Sequence, residues 1–185
     1  MAMALTVVGC ATSPPPSERG ATDNFWPALS PASLGASITA SQVLRVAFGE
    51  REATLNCAVA VQPELLTIVG VTALGMRAFT VKFDGSQVSA ESQPGVPEML
   101  PPQRLLNDVQ LTYWPLRALQ LQLARTEWEV TEPAPGTRRL KRAGRLIAEV
   151  HYAGSDPWSG RVWLSNLEFG YTLSIDSQRL ADVTR

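Results

Sequence analysis

The chain predicts a mainly β (α+β) domain in which a strongly curved antiparallel sheet or half-barrel of about 9–11 strands carries a helical lid or plug. Three observations lead there. Apolar and polar residues alternate with a period of two across most of the 185 residues. One segment, 101–124, switches to three- and four-residue spacing. The apolar faces of so many one-sided strands form a surface too wide for one helical hairpin to cover unless the sheet curls around it.

The strands justify themselves in order. Leu44, Val46 and Phe48 alternate with Arg45 and Ala47, and Leu55, Cys57, Val59 and Val61 alternate with Thr54, Asn56 and Gln62. Phe79, Val81 and Phe83 alternate with Thr80 and Lys82, and Asp84-Gly85 offers two positive-φ residues for a tight hairpin before 86–91 returns. Trp128 and Val130 sit between Glu127, Glu129 and Thr131, and Leu146, Ala148, Val150 and Tyr152 sit between Arg145, Ile147, Glu149 and His151. Leu167, Phe169, Tyr171, Leu173 and Ile175 end the series as a strand over 167–175.

Within 101–124, Leu105, Leu106, Val109, Tyr113 and Leu116 form the stripe of an amphipathic helix, with Pro101-Pro102 in its first turn. Pro115 pushes Trp114 out of the α region, so the spacing predicts one helix ending near Trp114 and a second over 115–123. Two helices fill a half-barrel incompletely, and the gap between sheet and lid is an apolar cavity suited to a lipid or similar ligand.

Val7-Val8-Gly9-Cys10 resembles a bacterial lipobox, in which the chain is cut before the cysteine and acyl chains on that residue hold the mature protein to a membrane. Residues 1–9 then read as a truncated signal peptide, with 3–8 the tail of a longer apolar region. Ala11 is not the aspartate that retains such proteins at the inner membrane, which implies the periplasmic face of the outer membrane. Residues 10–38, rich in Pro, Ser, Gly and Ala, read as a lipidated cysteine and a disordered tether, leaving 39–185 as one domain.

Composition removes several function classes. Sixteen basic residues balance seventeen acidic ones, which leaves no electrostatic footprint for nucleic acid. Cys57 has no partner once Cys10 is lipidated and reads as a buried thiol in a strand. The single histidine, His151, shares an outer strand face with Arg145 and Glu149, no Gly-x-Ser-x-Gly turn presents a serine, and the few His and Cys residues suit zinc poorly. The chain is therefore expected to be no enzyme and to need no cofactor or metal. The basic run Arg138, Arg139, Lys141, Arg142 and Arg145 is expected to be a solvated face, with contact to lipid phosphates as its alternative.

The order of tether, strands, aliphatic turn, Pro-interrupted helices and further strands resembles the LolA/LolB superfamily of periplasmic lipoprotein carriers and receptors. Thr72-Ala73-Leu74-Gly75-Met76-Arg77-Ala78-Phe79 is similar to the receptor loop whose leucine enters the membrane, which implies that role for Leu74 with Gly75. Leu74-Gly75, Phe83-Asp84-Gly85 and Trp114-Pro115 also resemble, in order, an uncharacterised lipoprotein family encoded beside aryl polyene biosynthesis genes. The resemblance implies a monomeric outer-membrane lipoprotein that binds an acyl or polyene chain non-covalently and exchanges it with a LolA-like carrier. Phe48, Phe79, Val81, Phe83, Trp128, Tyr152, Phe169 and Tyr171 would line the cavity, under a lid of Leu105, Leu106, Val109, Trp114 and Leu116. The alternative is a packed scaffold that works through protein partners.

Overall fold

A computed structural model describes residues 25–93 and 101–181. Ten antiparallel strands build one curled, unclosed sheet, and two helices fill it. In chain order the strands are β1 (Ile38–Phe48), β2 (Arg51–Gln62), β3 (Leu65–Val71), β4 (Arg77–Phe83), β5 (Val88–Ser92), β6 (Trp128–Ala134), β7 (Thr137–Arg142), β8 (Arg145–Tyr152), β9 (Arg161–Asn166) and β10 (Tyr171–Arg179). Across the sheet they run β5-β4-β3-β2-β1-β10-β9-β8-β7-β6, so two meanders meet where β1 pairs with β10, Leu44 opposite Ile175 and Phe48 opposite Tyr171. The register shifts at Gly70/Val71, Thr131/Ala134 and Leu140/Lys141, irregularities of the kind that locally increase strand twist.

The helices are α1 (Pro102–Tyr113) and α2 (Leu116–Leu123), divided as the proline predicts, with extended φ and ψ at Trp114. α1 departs from the amphipathic reading: every residue from Leu105 to Tyr113 is buried, including Asn107, Asp108, Gln110 and Thr112. It is a plug with the sheet on one side and residues 25–34 on the other. α2 packs Leu119 and Leu123 inward, and Gln120 Nε2 donates to the Val130 carbonyl, meeting the exposed edge of β6.

Three further expectations change. The tether assigned to 10–38 becomes ordered from Phe25, because Trp26, Leu29 and Pro31 are buried against the core. Cys10 and the rest of the lipobox lie outside the described residues. At Asp84-Gly85 only Gly85 has positive φ; Asp84 Oδ1 accepts from the Ser86 and Gln87 amides, so a four-residue Asx loop joins β4 to β5. The two-residue turn with positive φ at both positions is Ala143-Gly144, between β7 and β8. Residues 167–170, expected in a strand, form the β9–β10 turn, closed by the Gly170 amide on the Asn166 carbonyl.

Gly70 shows how tightly the concave face is filled. A Cβ there would lie 2.3 Å from Cε1 of Phe79, its cross-strand neighbour. Gly70→Ala is expected to destabilise the fold by about 1–3 kcal/mol through overpacking, read as a lower urea midpoint; an unchanged midpoint would show that the Phe79 ring swings freely.

Candidate apolar-ligand site around the plug helix

Because α1 is buried on every side, each of its polar side chains requires an internal partner. Gln110 meets the backbone of Leu29 twice: Oε1 accepts from the amide at 2.9 Å and Nε2 donates to the carbonyl at 2.6 Å. Asn107 Nδ2 donates to the Trp26 carbonyl at 3.1 Å, and Trp114 Nε1 to Ser33 Oγ at 2.8 Å. Residues 25–34 therefore form a strap along α1, and the polar residues between the leucines are what dock it.

Deeper in, Tyr171 donates its hydroxyl proton to Asp108 Oδ2, and Asn166 Nδ2 donates to that hydroxyl oxygen at 3.2 Å. Arg104 lies over the Phe169 ring, 3.4 Å from its centroid, and Phe169 stacks on Phe25. Burial pushes the Asp108 carboxyl up to about 7, against the opposing effects of the Tyr171 hydrogen bond and the Arg104 charge. Tyr171 is pushed up as well, first by burial and then by Asp108.

The joint between the helices is held by Arg138. Its Nη1 donates to the carbonyls of Leu111 (2.7 Å) and Trp114 (2.8 Å), while Nε and Nη2 grip Glu132 Oε1 at 3.0 and 2.8 Å. The guanidinium thus caps carbonyls that the break at Pro115 leaves without helical donors. Tyr152 donates to the Thr112 carbonyl at 2.8 Å; burial pushes its phenol up to about 12, with Arg138 opposing. Tyr113 stacks on Trp158, centroids 4.0 Å apart, and its hydroxyl accepts from Gln42 Nε2.

Beside this joint opens a cleft of about 480 Å³, within the range of small-ligand pockets. Ile38, Leu34, Tyr113, Trp114, Tyr152 and Trp158 give it an apolar wall, and Glu132, Arg138 and Arg179 give it a polar rim. It can hold a chain against aromatic faces while leaving a polar head in water.

The structure disperses the remaining predicted residues. Of the cavity set only Tyr152 lines the cleft, and of the lid set only Trp114. Val81, Phe83, Trp128 and Tyr171 are packed in the core, as are Leu105, Leu106 and Val109, with Phe79, Phe169 and Leu116 against it. Phe48 points inward by alternation but lies at the last position of β1, where it is 42% exposed. Leu74 stands at the tip of the β3–β4 hairpin, 84% exposed, where Gly75 has φ 78° and its amide reaches the Thr72 carbonyl. Met76 is exposed beside it. Sequence reasoning missed Trp158 and the strap; the signal for the strap was Phe25-Trp26 and Leu29, apolar residues too bulky for a solvated tether.

The arginines of the basic run are paired with carboxylates, Arg138 with Glu132 as above. Arg139 pairs with Glu149, Arg142 with Glu127 at 2.5 Å and Arg145 with Glu168 at 2.9 Å, and His151 Nε2 lies 2.7 Å from Glu149. Cys57 is a buried free thiol, pushed up to about 12 by burial. Among the described residues no three His, Cys, Asp or Glu side chains converge to hold a metal.

Asp108 makes stability depend on pH with a definite sign. Between its ordinary value of 3.8 and about 7 the folded chain keeps a proton that the unfolded chain releases, so stability falls as pH rises through that window. Glu149 and Asp176, held low by arginines, lose their contribution only at more acid pH. Urea titrations at about pH 4.5 and about pH 7.5 are expected to show this decline in the wild type and a much flatter profile in Asp108→Asn, which stays neutral. Equal slopes in the two proteins would assign the window to other groups.

No curated protein matches the chain. Among solved structures it is similar to a LolA superfamily protein from Nitrosomonas europaea, at 10% identity over 84% of this chain and 91% of that one, with a TM-score of 0.50. A DUF1329 family protein from Desulfovibrio piger also aligns, at 10% identity over 84% and 90% of the two chains, with a TM-score of 0.39. The curled, unclosed sheet with its two helices is thus a LolA-like fold. Residues 39–179 match the family described as "Protein of unknown function (DUF3261)", and the chain belongs to that family.

Proposed function

We propose that this protein binds an apolar chain non-covalently in the bacterial envelope, as a lipid or lipoprotein carrier or receptor. The observation that carries the reading is the open, aromatic-walled cleft at the joint of two helices inside an unclosed sheet. Burial is the whole mechanism: each CH₂ removed from water contributes about 0.8 kcal/mol, and separation of the helices releases the chain. No covalent step and no cofactor enters.

In this reading lipidated Cys10 anchors the protein to the periplasmic face of the outer membrane, and a LolA-like carrier hands over the cargo. The LolA-like fold supports the envelope assignment. Leu74, held out on a hairpin tip with Met76, has the exposure that a membrane-entering residue needs. A second reading, the packed scaffold acting through protein partners such as components of an aryl polyene system, draws on one observation: every residue of α1 from Leu105 to Tyr113 is buried.

Native mass spectrometry of the full chain carrying Cys10→Ser, before and after organic extraction, separates the two. An extractable apolar molecule at one equivalent is expected. A clean protein mass with no uptake of added palmitate would leave the scaffold. Leu74→Glu is expected to keep the stability within about 0.5 kcal/mol, since the side chain touches little, and to slow transfer of a bound acyl probe to phospholipid vesicles about ten-fold. Transfer at the wild-type rate would remove Leu74 from the mechanism.

A further inference from the structure

The strap and the cleft are continuous. Leu34 and Ala36 wall the cleft, and residues 26–33 run from there over Trp114, just past the end of α1, and along Gln110 and Asn107, two positions on one helical face. The strap adds no strand to the sheet; it is held by side-chain bonds to its backbone and by burial of Trp26 and Leu29. Gly35, with φ of 81°, links the 3₁₀ turn Pro31–Leu34 to β1.

What the strap covers differs from the rest of the core. The face beneath it carries amide groups, which water can solvate once the strap leaves, so departure need not unfold α1. The docking is also incomplete: Asn107 is buried, yet its Oδ1 has no hydrogen-bond partner among the described residues. The strap buries Trp26, Leu29 and Pro31 yet leaves this one acceptor unmet, so a ligand that satisfied Asn107 Oδ1 would compete with it.

The chemistry of that occupant follows from what the strap presents. Asn107 Nδ2 and Gln110 Nε2 each donate to a carbonyl, those of Trp26 and Leu29, and beside each carbonyl an apolar side chain enters the core. Gln110 Oε1 and the unmet Asn107 Oδ1 accept from an N–H or a hydroxyl. Carbonyls next to apolar groups, an indole and an isobutyl, with an amide proton close by, match an acyl lipid better than a bare hydrocarbon. We propose that the strap is the resident stand-in for an acyl lipid: the ligand enters at the cleft, displaces Trp26 and Leu29, and sets its ester or amide carbonyls on Asn107 and Gln110. This rests on the apolar-chain reading above and assigns its ligand class and its competitor.

The test uses the full chain with Cys10→Ser and a pyrene-labelled diacyl phosphatidylglycerol. The double variant Trp26→Ala, Leu29→Ala is expected to take up the probe at least five-fold more tightly than the wild type, and the dialkyl ether analogue, which lacks both carbonyls, to bind the wild type about ten-fold more weakly. Hydrogen exchange on the wild type needs no variant: the Leu29 amide, protected by Gln110, should lose protection at saturation. Unchanged or weaker uptake by a folded double variant, or a Leu29 amide still protected in the complex, overturns the strap's role while apolar binding stands. Ester and ether probes bound equally overturn the carbonyl assignment. No uptake by either protein overturns this inference and the apolar-chain reading together.

Discussion

The structure depends on one constraint: α1 is sealed on all sides, so nine consecutive residues must find every partner inside the protein. Apolar positions meet the sheet. The polar positions dictate the rest. Gln110 and Asn107 order the strap, Asp108 requires Tyr171 and Asn166 on the sheet's central strands, and the open end of the helix calls for the guanidinium of Arg138. A half-barrel with an apolar plug would hold together by volume alone; this one is held in register by specific hydrogen bonds.

That constraint also explains what could and could not be read from the sequence. The strands with one wet face, such as β1 and β2, were legible because alternation follows directly from burial. β3 hid because Leu-Leu-Thr-Ile-Val-Gly-Val is apolar at nearly every position, and β7 because Arg and Lys crowd both of its faces. The break at Pro115 was certain from covalent geometry. The role of the helix was not: Asn107, Asp108 and Gln110 lie off the apolar stripe, and only tertiary structure shows that a strap covers Asn107 and Gln110 while Asp108 meets Tyr171 of the sheet. Of the predicted site, Leu74 is exposed at a hairpin tip, while most of the expected cavity residues are packed, since inward alternation says which face a side chain joins and nothing about whether that face is full.

The two ends of the sheet differ in character. At one end the turns expose Leu74, Met76 and Leu167, with Phe48 close by at the end of β1, and the chain coming from the amino terminus arrives there at Phe25, stacked on Phe169. At the other end lies the cleft, walled by the start of β1, the helix joint and Trp158. In the proposed function the first end meets the membrane and the second receives cargo, with the plug and its strap between them.

Tryptophan placement offers the most direct test of the claim that the cleft holds an apolar chain. Trp114 and Trp158 line it, whereas Trp163 is exposed on the outer face of β9. Titration with a brominated fatty acid, whose heavy atoms quench only nearby indoles, is predicted to quench emission to saturation at one equivalent, equally in Trp163→Phe, and to lose most of that quenching in Trp114→Phe, Trp158→Phe. Quenching that never saturates, or that survives loss of the two cleft tryptophans, would contradict the account.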